Sequence, residues 1–175
     1  VTGVELDGVA HAAALENIRR NNLSARMESI CADLRTVPER FAAGSFSCCV
    51  SNPPYFINSL KCPDGQRNTA RHTDPLDAGR LLSKVTELLT PDGRFSLILP
   101  AEQTDEILSL AESYGLYPSR QTWVITRPGL SPKRILLEFR KSPATFTPNE
   151  LVIELERHVY SEDYIALTKE FYLKL

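Results

Sequence analysis

A chain of 175 residues, 42% hydrophobic and 24% charged, is sized for one globular domain that can bury its own core. Its net charge of -2 excludes a protein that coats nucleic acid by bulk electrostatics, so contact with such a partner must be local. No run approaches the roughly 20 apolar residues of a membrane span, and the first residues lack the charged-then-apolar layout of a secretion signal. The four cysteines, Cys31, Cys48, Cys49 and Cys62, form neither a C-x-x-C pair nor a regular spacing. Two of them are adjacent inside an apolar run, so buried free thiols in a reducing cytoplasm are expected, with no metal site.

Val1 to Glu5 reads as a short strand closing on an acid. Asp7 then caps a helix running to about Asn22, with Ala10, Ala14, Leu15 and Ile18 on one side. Met27 to Ala32 resumes a strand ending at Asp33. Phe46 to Ser51 is a continuous apolar run stopped by two prolines, the pattern of a fully buried strand. Leu81, Leu82, Val85, Leu88 and Leu89 recur at helical spacing before Pro91-Asp92-Gly93 turns the chain. Phe95 to Leu99 is the next strand, and a helix with Ile107, Leu110, Ala111 and Tyr114 on one face stops at Gly115.

After Gly115 the pattern changes. Gln121 to Thr126 and Ile135 to Phe139 are β-rich runs joined by a connection over 127–134, short enough for an antiparallel pair. Leu151 to Leu155 is a candidate edge strand, and Ser161 a cap for a last helix whose Tyr164, Leu167 and Phe171 would pack on the body. Repeated strand-helix units predict an α/β domain over 1–175: a mostly parallel, doubly wound sheet, helices on both faces, ending in an antiparallel hairpin. In such sheets ligands bind beyond the carboxyl ends of the strands.

Asn52-Pro53-Pro54-Tyr55 falls at one of those ends. A planar amine such as the adenine amino group is a poor nucleophile because its lone pair is delocalised into the ring. Two acceptors around it favour the pyramidal form that frees the pair. The Asn52 side-chain oxygen can take one amino hydrogen and the Pro53 carbonyl the other, with the proline pair fixing its direction. As a residue before proline, Asn52 is held extended, which continues the strand and aims its side chain at the crevice. Tyr55, with Phe56 behind it, offers a flat face against which a flipped-out base can be held. A chance Asn-Pro-Pro-aromatic match in a chain this long is on the order of one in a thousand.

An acid at the end of the second strand of a nucleotide-binding sheet accepts ribose hydroxyls, and Glu5 stands at a strand end one strand-helix unit before another acid, Asp33. Helix capping is the alternative role for both. Lys61, Arg67, Arg71 and His72 follow the proline motif in a segment that reads as a loop, either a phosphate clamp or a solvated surface. Lys133 and Arg134 are a second basic candidate, read as a plain hairpin tip. His11 and His158 show no partner pattern.

Val4-Glu5-Leu6-Asp7, Ala32-Asp33-Leu34, Ser51-Asn52-Pro53-Pro54-Tyr55, the Arg67 to His72 segment, Leu99-Pro100 and Arg134 before a β-rich run form one set of markers. Tyr160-Ser161-Glu162, Ala166-Leu167-Thr168 and Phe171-Tyr172-Leu173 form another, in the tail. Together they resemble the bacterial valine-tRNA adenine-N6 methyltransferases, nearly end to end. The resemblance implies a class I methyltransferase fold, S-adenosylmethionine as cofactor and a target adenosine just 3′ of the anticodon of valine tRNA. It implies that Glu5 binds cofactor ribose and Asp33 the cofactor adenine edge, with Leu34 and Asn52 in the same site. Asn52, Pro53 and Tyr55 would hold the target base, and Pro54, Phe56, Arg67, Arg71 and His72 would bind the substrate around it.

The Asn-Pro-Pro-Tyr motif alone is shared with DNA adenine and release-factor glutamine methyltransferases, so the tRNA expectation leans on the tail. Methylation of another planar amine (rRNA or DNA adenine, or protein glutamine) and a non-catalytic nucleic-acid-binding remnant are the alternatives. The family opens with a strand and a glycine-rich loop at the cofactor, and no such loop precedes Glu5. The expectation is a chain truncated at its amino end that binds the cofactor poorly until that segment is restored.

Overall fold

A computed structural model of the chain describes residues 1–37, 41–53 and 77–173. The first strand, β1 (Thr2–Glu5), leads into helix α1 (Gly8–Arg20), whose start is fixed by Asp7: its carboxylate accepts from the Ala10 N–H at 2.7 Å. The chain returns as β2 (Glu28–Cys31), paired in parallel with β1 from Thr2↔Glu28 to Glu5↔Cys31.

The second half is larger. It comprises β3 (Phe46–Ser51), α2 (Ala78–Leu88), β4 (Leu89–Pro100), a 3-10 turn over Ala101–Gln103, α3 (Thr104–Ser113), β5 (Tyr117–Ile125), β6 (Arg134–Arg140) and β7 (Asn149–Val152). A small antiparallel pair, β8 (Glu154–Glu156) and β9 (Val159–Tyr160), and helix α4 (Glu162–Thr168) follow. The five-stranded sheet has the order β3-β4-β6-β5-β7. β3 and β4 are parallel, β5 and β7 are parallel, and β6 runs against both β4 and β5. The carboxyl ends of β3, β4, β5 and β7 therefore share one edge of the sheet, where β6 begins. The expected α/β sheet with its antiparallel hairpin is present.

Alternation along the strands decides where the core lies. Phe95, Leu97 and Leu99 of β4 pair with Phe139, Leu137 and Ile135 of β6 on one face, and all six are buried. Against that face lie Leu81, Leu82 and Val85 of α2 and Ile107 and Ala111 of α3. The rings of Phe95 and Phe139 stack with centroids 6.3 Å apart. Helix α3 ends as its sequence signals: Gly115 has φ +71°, its N–H bonds the Glu112 carbonyl at 2.9 Å, and the Leu116 N–H bonds the Ala111 carbonyl at 3.0 Å. This double closure leaves Leu116 fully buried.

Several expectations are corrected. β3 is not fully buried: Val50 is 78% exposed and Cys48 is exposed, because among the described residues β4 is its only partner strand. No residue of α1 is fully buried: on its apolar side Ala14 and Ile18 are half-buried and Leu15 is exposed, the helix lying chiefly against the two short strands of its own unit among the described residues. Pro91-Asp92-Gly93 does not end an element but lies inside β4. The register jumps from Phe46↔Leu89 to Cys48↔Arg94, so the turn residues are accommodated as a bulge. Gly93 is needed there, because a side-chain carbon would meet the Thr90 carbonyl oxygen and the Leu89 side chain at 3.0 Å.

In the tail, Ser161 caps α4 as expected, accepting from the Tyr164 N–H at 3.1 Å, but Leu167 and Phe171 are exposed and do not pack on the body. Cys31, Cys48 and Cys49 are free thiols, of which only Cys49 is half-buried; burial holds its thiol up at about 11, with the neighbouring Cys48 adding to the effect. Cys62 lies outside the described residues.

Candidate functional site

The strand ends carry the candidate residues. β3 stops at Ser51 because Pro53 has no N–H to continue a ladder and holds Asn52 out of the helical region. Asn52 is exposed at that end, while Pro53 is buried behind it. An exposed carboxamide is thus seated on a buried proline at the shared carboxyl edge of the sheet. Pro54, Tyr55 and Phe56 of the motif, and Arg67, Arg71 and His72 of the basic segment, lie outside the described residues.

Glu5 closes β1 half-buried, and one of its carboxylate oxygens accepts from the Asp7 N–H at 2.9 Å. Its other oxygen has no partner among the described residues and is free to receive a ligand hydroxyl. Asp33 is more heavily engaged. It accepts from the Arg35 backbone N–H at 2.9 Å and from Arg35 Nε at 2.7 Å, and also pairs with Arg35 Nη2. The Arg35 guanidinium beside it, then the Arg35 N–H, hold its carboxyl below the usual aspartate range. A carboxylate offers about four acceptor positions, so one more bond remains open to a cofactor amine.

The structure brings Glu5 and Asp33 together at the carboxyl end of the β1–β2 pair, and places Asn52 and Pro53 at the carboxyl end of the five-stranded sheet. Leu34 connects the two, because it packs on the core cluster of the larger sheet. The charge of Arg80 on α2 reaches Asp33 as well. Sequence reasoning missed Arg35 as the group that orients Asp33, although an acid two residues before an arginine in a turn was the available signal. It also missed Gln103. Its side-chain oxygen is buried with no hydrogen-bond partner among the described residues, at the end of β4, next to the strand that carries Asn52. A buried acceptor without a partner among the described residues at such an edge is a group that a ligand N–H can satisfy. No group of three or more His, Cys, Asp or Glu among the described residues is arranged to hold a metal ion, and no described helix is long and apolar enough to cross a membrane.

No family model matches the chain. Among solved structures, a predicted O-methyltransferase from Agrobacterium tumefaciens superposes with a TM-score of 0.75 at 20% identity, over 97% of this chain and 76% of that one. The geranyl diphosphate C-methyltransferase of Streptomyces coelicolor, crystallised with S-adenosyl-L-homocysteine, superposes with a TM-score of 0.57 at 14% identity, over 81% of this chain and 65% of that one. The fold is that of the class I methyltransferases.

A Bacteroides fragilis protein named tRNA1(Val) (adenine(37)-N6)-methyltransferase is 46% identical over 175 residues, which is 100% of this chain and 74% of that protein. The chain belongs to that methyltransferase family, as the resemblance implied.

Proposed function

We propose that the chain transfers a methyl group from S-adenosylmethionine to the N6 amino nitrogen of the adenosine beside the anticodon of a valine tRNA. The name of the 46% identical relative supports the substrate, and the methyltransferase fold supports the donor. The observation that carries the chemistry is Asn52 exposed at the carboxyl edge of the sheet, directly before a buried proline.

In this reading the Asn52 side-chain oxygen and the Pro53 carbonyl accept the two amino hydrogens of the target base and favour its pyramidal form. Rate comes from positioning and preorganised acceptors, without a covalent enzyme intermediate. S-adenosylmethionine supplies the electrophilic methyl on its sulfonium. Glu5, through its unpartnered oxygen, receives the ribose hydroxyls. Asp33, oriented by Arg35, receives the adenine amino edge, with Leu34 beside it. Tyr55, Pro54 and Phe56 hold the flipped base, and Arg67, Arg71 and His72 hold the RNA around it. A tRNA substrate supports a cytoplasmic location.

The test is incubation with an unmodified valine tRNA transcript and saturating S-adenosylmethionine, so that weak cofactor binding does not mask turnover, followed by nuclease digestion and mass spectrometry. The expected product is one N6-methyladenosine in the fragment 3′ of the anticodon. Methyl transfer to DNA adenine or to a protein glutamine instead, with the transcript unchanged, overturns the substrate assignment.

A further inference from the structure

The connection between β5 and β6 holds Arg127 and Lys133 and no acidic residue, and β6 opens on Arg134. Lys133 and Arg134 have the composition of a plain hairpin tip, but the backbone holds them in a defined place. Arg127-Pro128-Gly129-Leu130 forms a tight turn closed by the Leu130 N–H on the Arg127 carbonyl at 3.2 Å, with Gly129 at φ +79°. Proline second and a positive-φ glycine third are what a type II turn requires. Lys133 is pinned on both sides of its peptide: its N–H donates to Val124 at 2.9 Å, and its carbonyl accepts from Ala101 at 3.2 Å and from Arg134 Nη1 at 2.9 Å. The basic side chains therefore stand on a backbone that is already ordered.

Their location follows from the sheet order. β6 starts at Arg134, which pairs with Pro100 at the end of β4, and β4 is the neighbour of β3, the strand that Asn52 follows. Two strand spacings separate the start of β6 from β3, about 10 Å. Arg127 and Lys133 are exposed, and neither carries an ion pair among the described residues. Acids flank them on both sides of the same edge: Glu102, Asp105 and Glu106 after β4, and Glu154, Glu156, Glu162 and Asp163 after β7. On a chain of net charge -2, these acids repel a polyanion on either side of the connection, and Arg127 and Lys133 attract it between them.

We infer that the β5–β6 connection is a backbone-binding rim for the RNA substrate, with Arg127 and Lys133 contacting phosphates next to the target nucleotide. The inference rests on the RNA reading proposed above and adds to it a surface and two residues. Phosphate contacts fix register and carry no sequence information, so their removal weakens binding without altering the site of methylation. Each neutralised phosphate releases counterions, and about 0.7 to 0.9 of the log-log salt slope goes with each contact.

The test measures anisotropy of a labelled unmodified valine tRNA transcript between about 50 and 200 mM salt, the range over which such contacts are lost, alongside methylation kinetics. The full chain is compared as wild type, as Arg127→Gln with Lys133→Gln, and as Arg94→Gln with Arg140→Gln. The last pair removes the same charge from the opposite end of the sheet, where Arg94 and Arg140 face each other. The rim variant should lose about 1.5 from the salt slope, with KM raised roughly tenfold and kcat unchanged. Arg127→Lys with Lys133→Arg should restore both. A rim variant indistinguishable from the control pair overturns the inference, as does a wild type with no RNA affinity. A wild type that binds the transcript with the expected salt slope but methylates only DNA or protein leaves the rim standing and overturns the tRNA reading alone.

Discussion

Asp7 and Asp77 perform the same local task in two different parts of the molecule. Each caps a helix, accepting from the N–H three residues on at 2.7 Å. Around Asp7, strands of four residues pair in register and a helix of 13 residues runs beside them, yet the first buried residue of the chain is Val37. Around Asp77, α2 buries Ala78, Leu81, Leu82, Val85 and Leu88 against the larger sheet. The difference lies in what each apolar face meets. Capping and ladder hydrogen bonds define an element, but net stability comes from burial, which needs a second apolar layer. β1 and β3 each have one edge without a partner strand among the described residues, and Val4 and Val50 are exposed beside those edges.

The comparison can be broken most directly by truncating one side chain from each part. Phe139→Ala removes a fully buried ring that stacks on Phe95, and should cost about 3 to 5 kcal/mol in a denaturant titration. Leu15→Ala, at a helix position 43% exposed, should stay within about 0.5 kcal/mol. Similar losses at both sites would mean that α1 rests on a core as firm as that of the sheet, and the contrast would fail.

A smaller effect sharpens the same contrast, because it holds the chemistry constant. Asp77→Ala should lower global stability by about 1 kcal/mol, since α2 unfolds with the core it covers. Asp7→Ala should leave the global transition in place and show itself only as faster amide exchange in α1. Equal shifts of the global transition would show that the two parts unfold as one.

Much of this architecture was legible in the residues. Asp7, Ser161 and Gly115 marked their helix ends through capping and left-handed closure, both of which are local. The β5–β6 pair was readable because a connection of eight residues over 127–134 with two prolines and a glycine leaves the strands little else to do. Burial was less legible: Phe46 to Ser51 has the composition of a central strand, and composition cannot say whether a neighbour is present to cover it. Pro91-Asp92-Gly93 reads as a turn that ends a helix; α2 does end just before it, at Leu88, but the three residues are taken into β4 at a register shift, since a bulge uses the same residues as a turn. Within the site, Asn52, Glu5 and Asp33 could be placed at strand ends because that is where periodicity stops. Arg35 and Gln103 could not, because their roles depend on contacts made only after folding.

The account turns on Asn52 as an acceptor for the amino group that is methylated. Single-turnover methyl transfer to an unmodified valine tRNA transcript, wild type against Asn52→Ala, tests this most directly. Because Asn52 is exposed, the variant should keep the thermal transition of the wild type while its rate falls by about 10²- to 10³-fold, the usual consequence of removing one preorganised polar group from a reacting centre. A folded variant that methylates the transcript within a few-fold of the wild-type rate would contradict it.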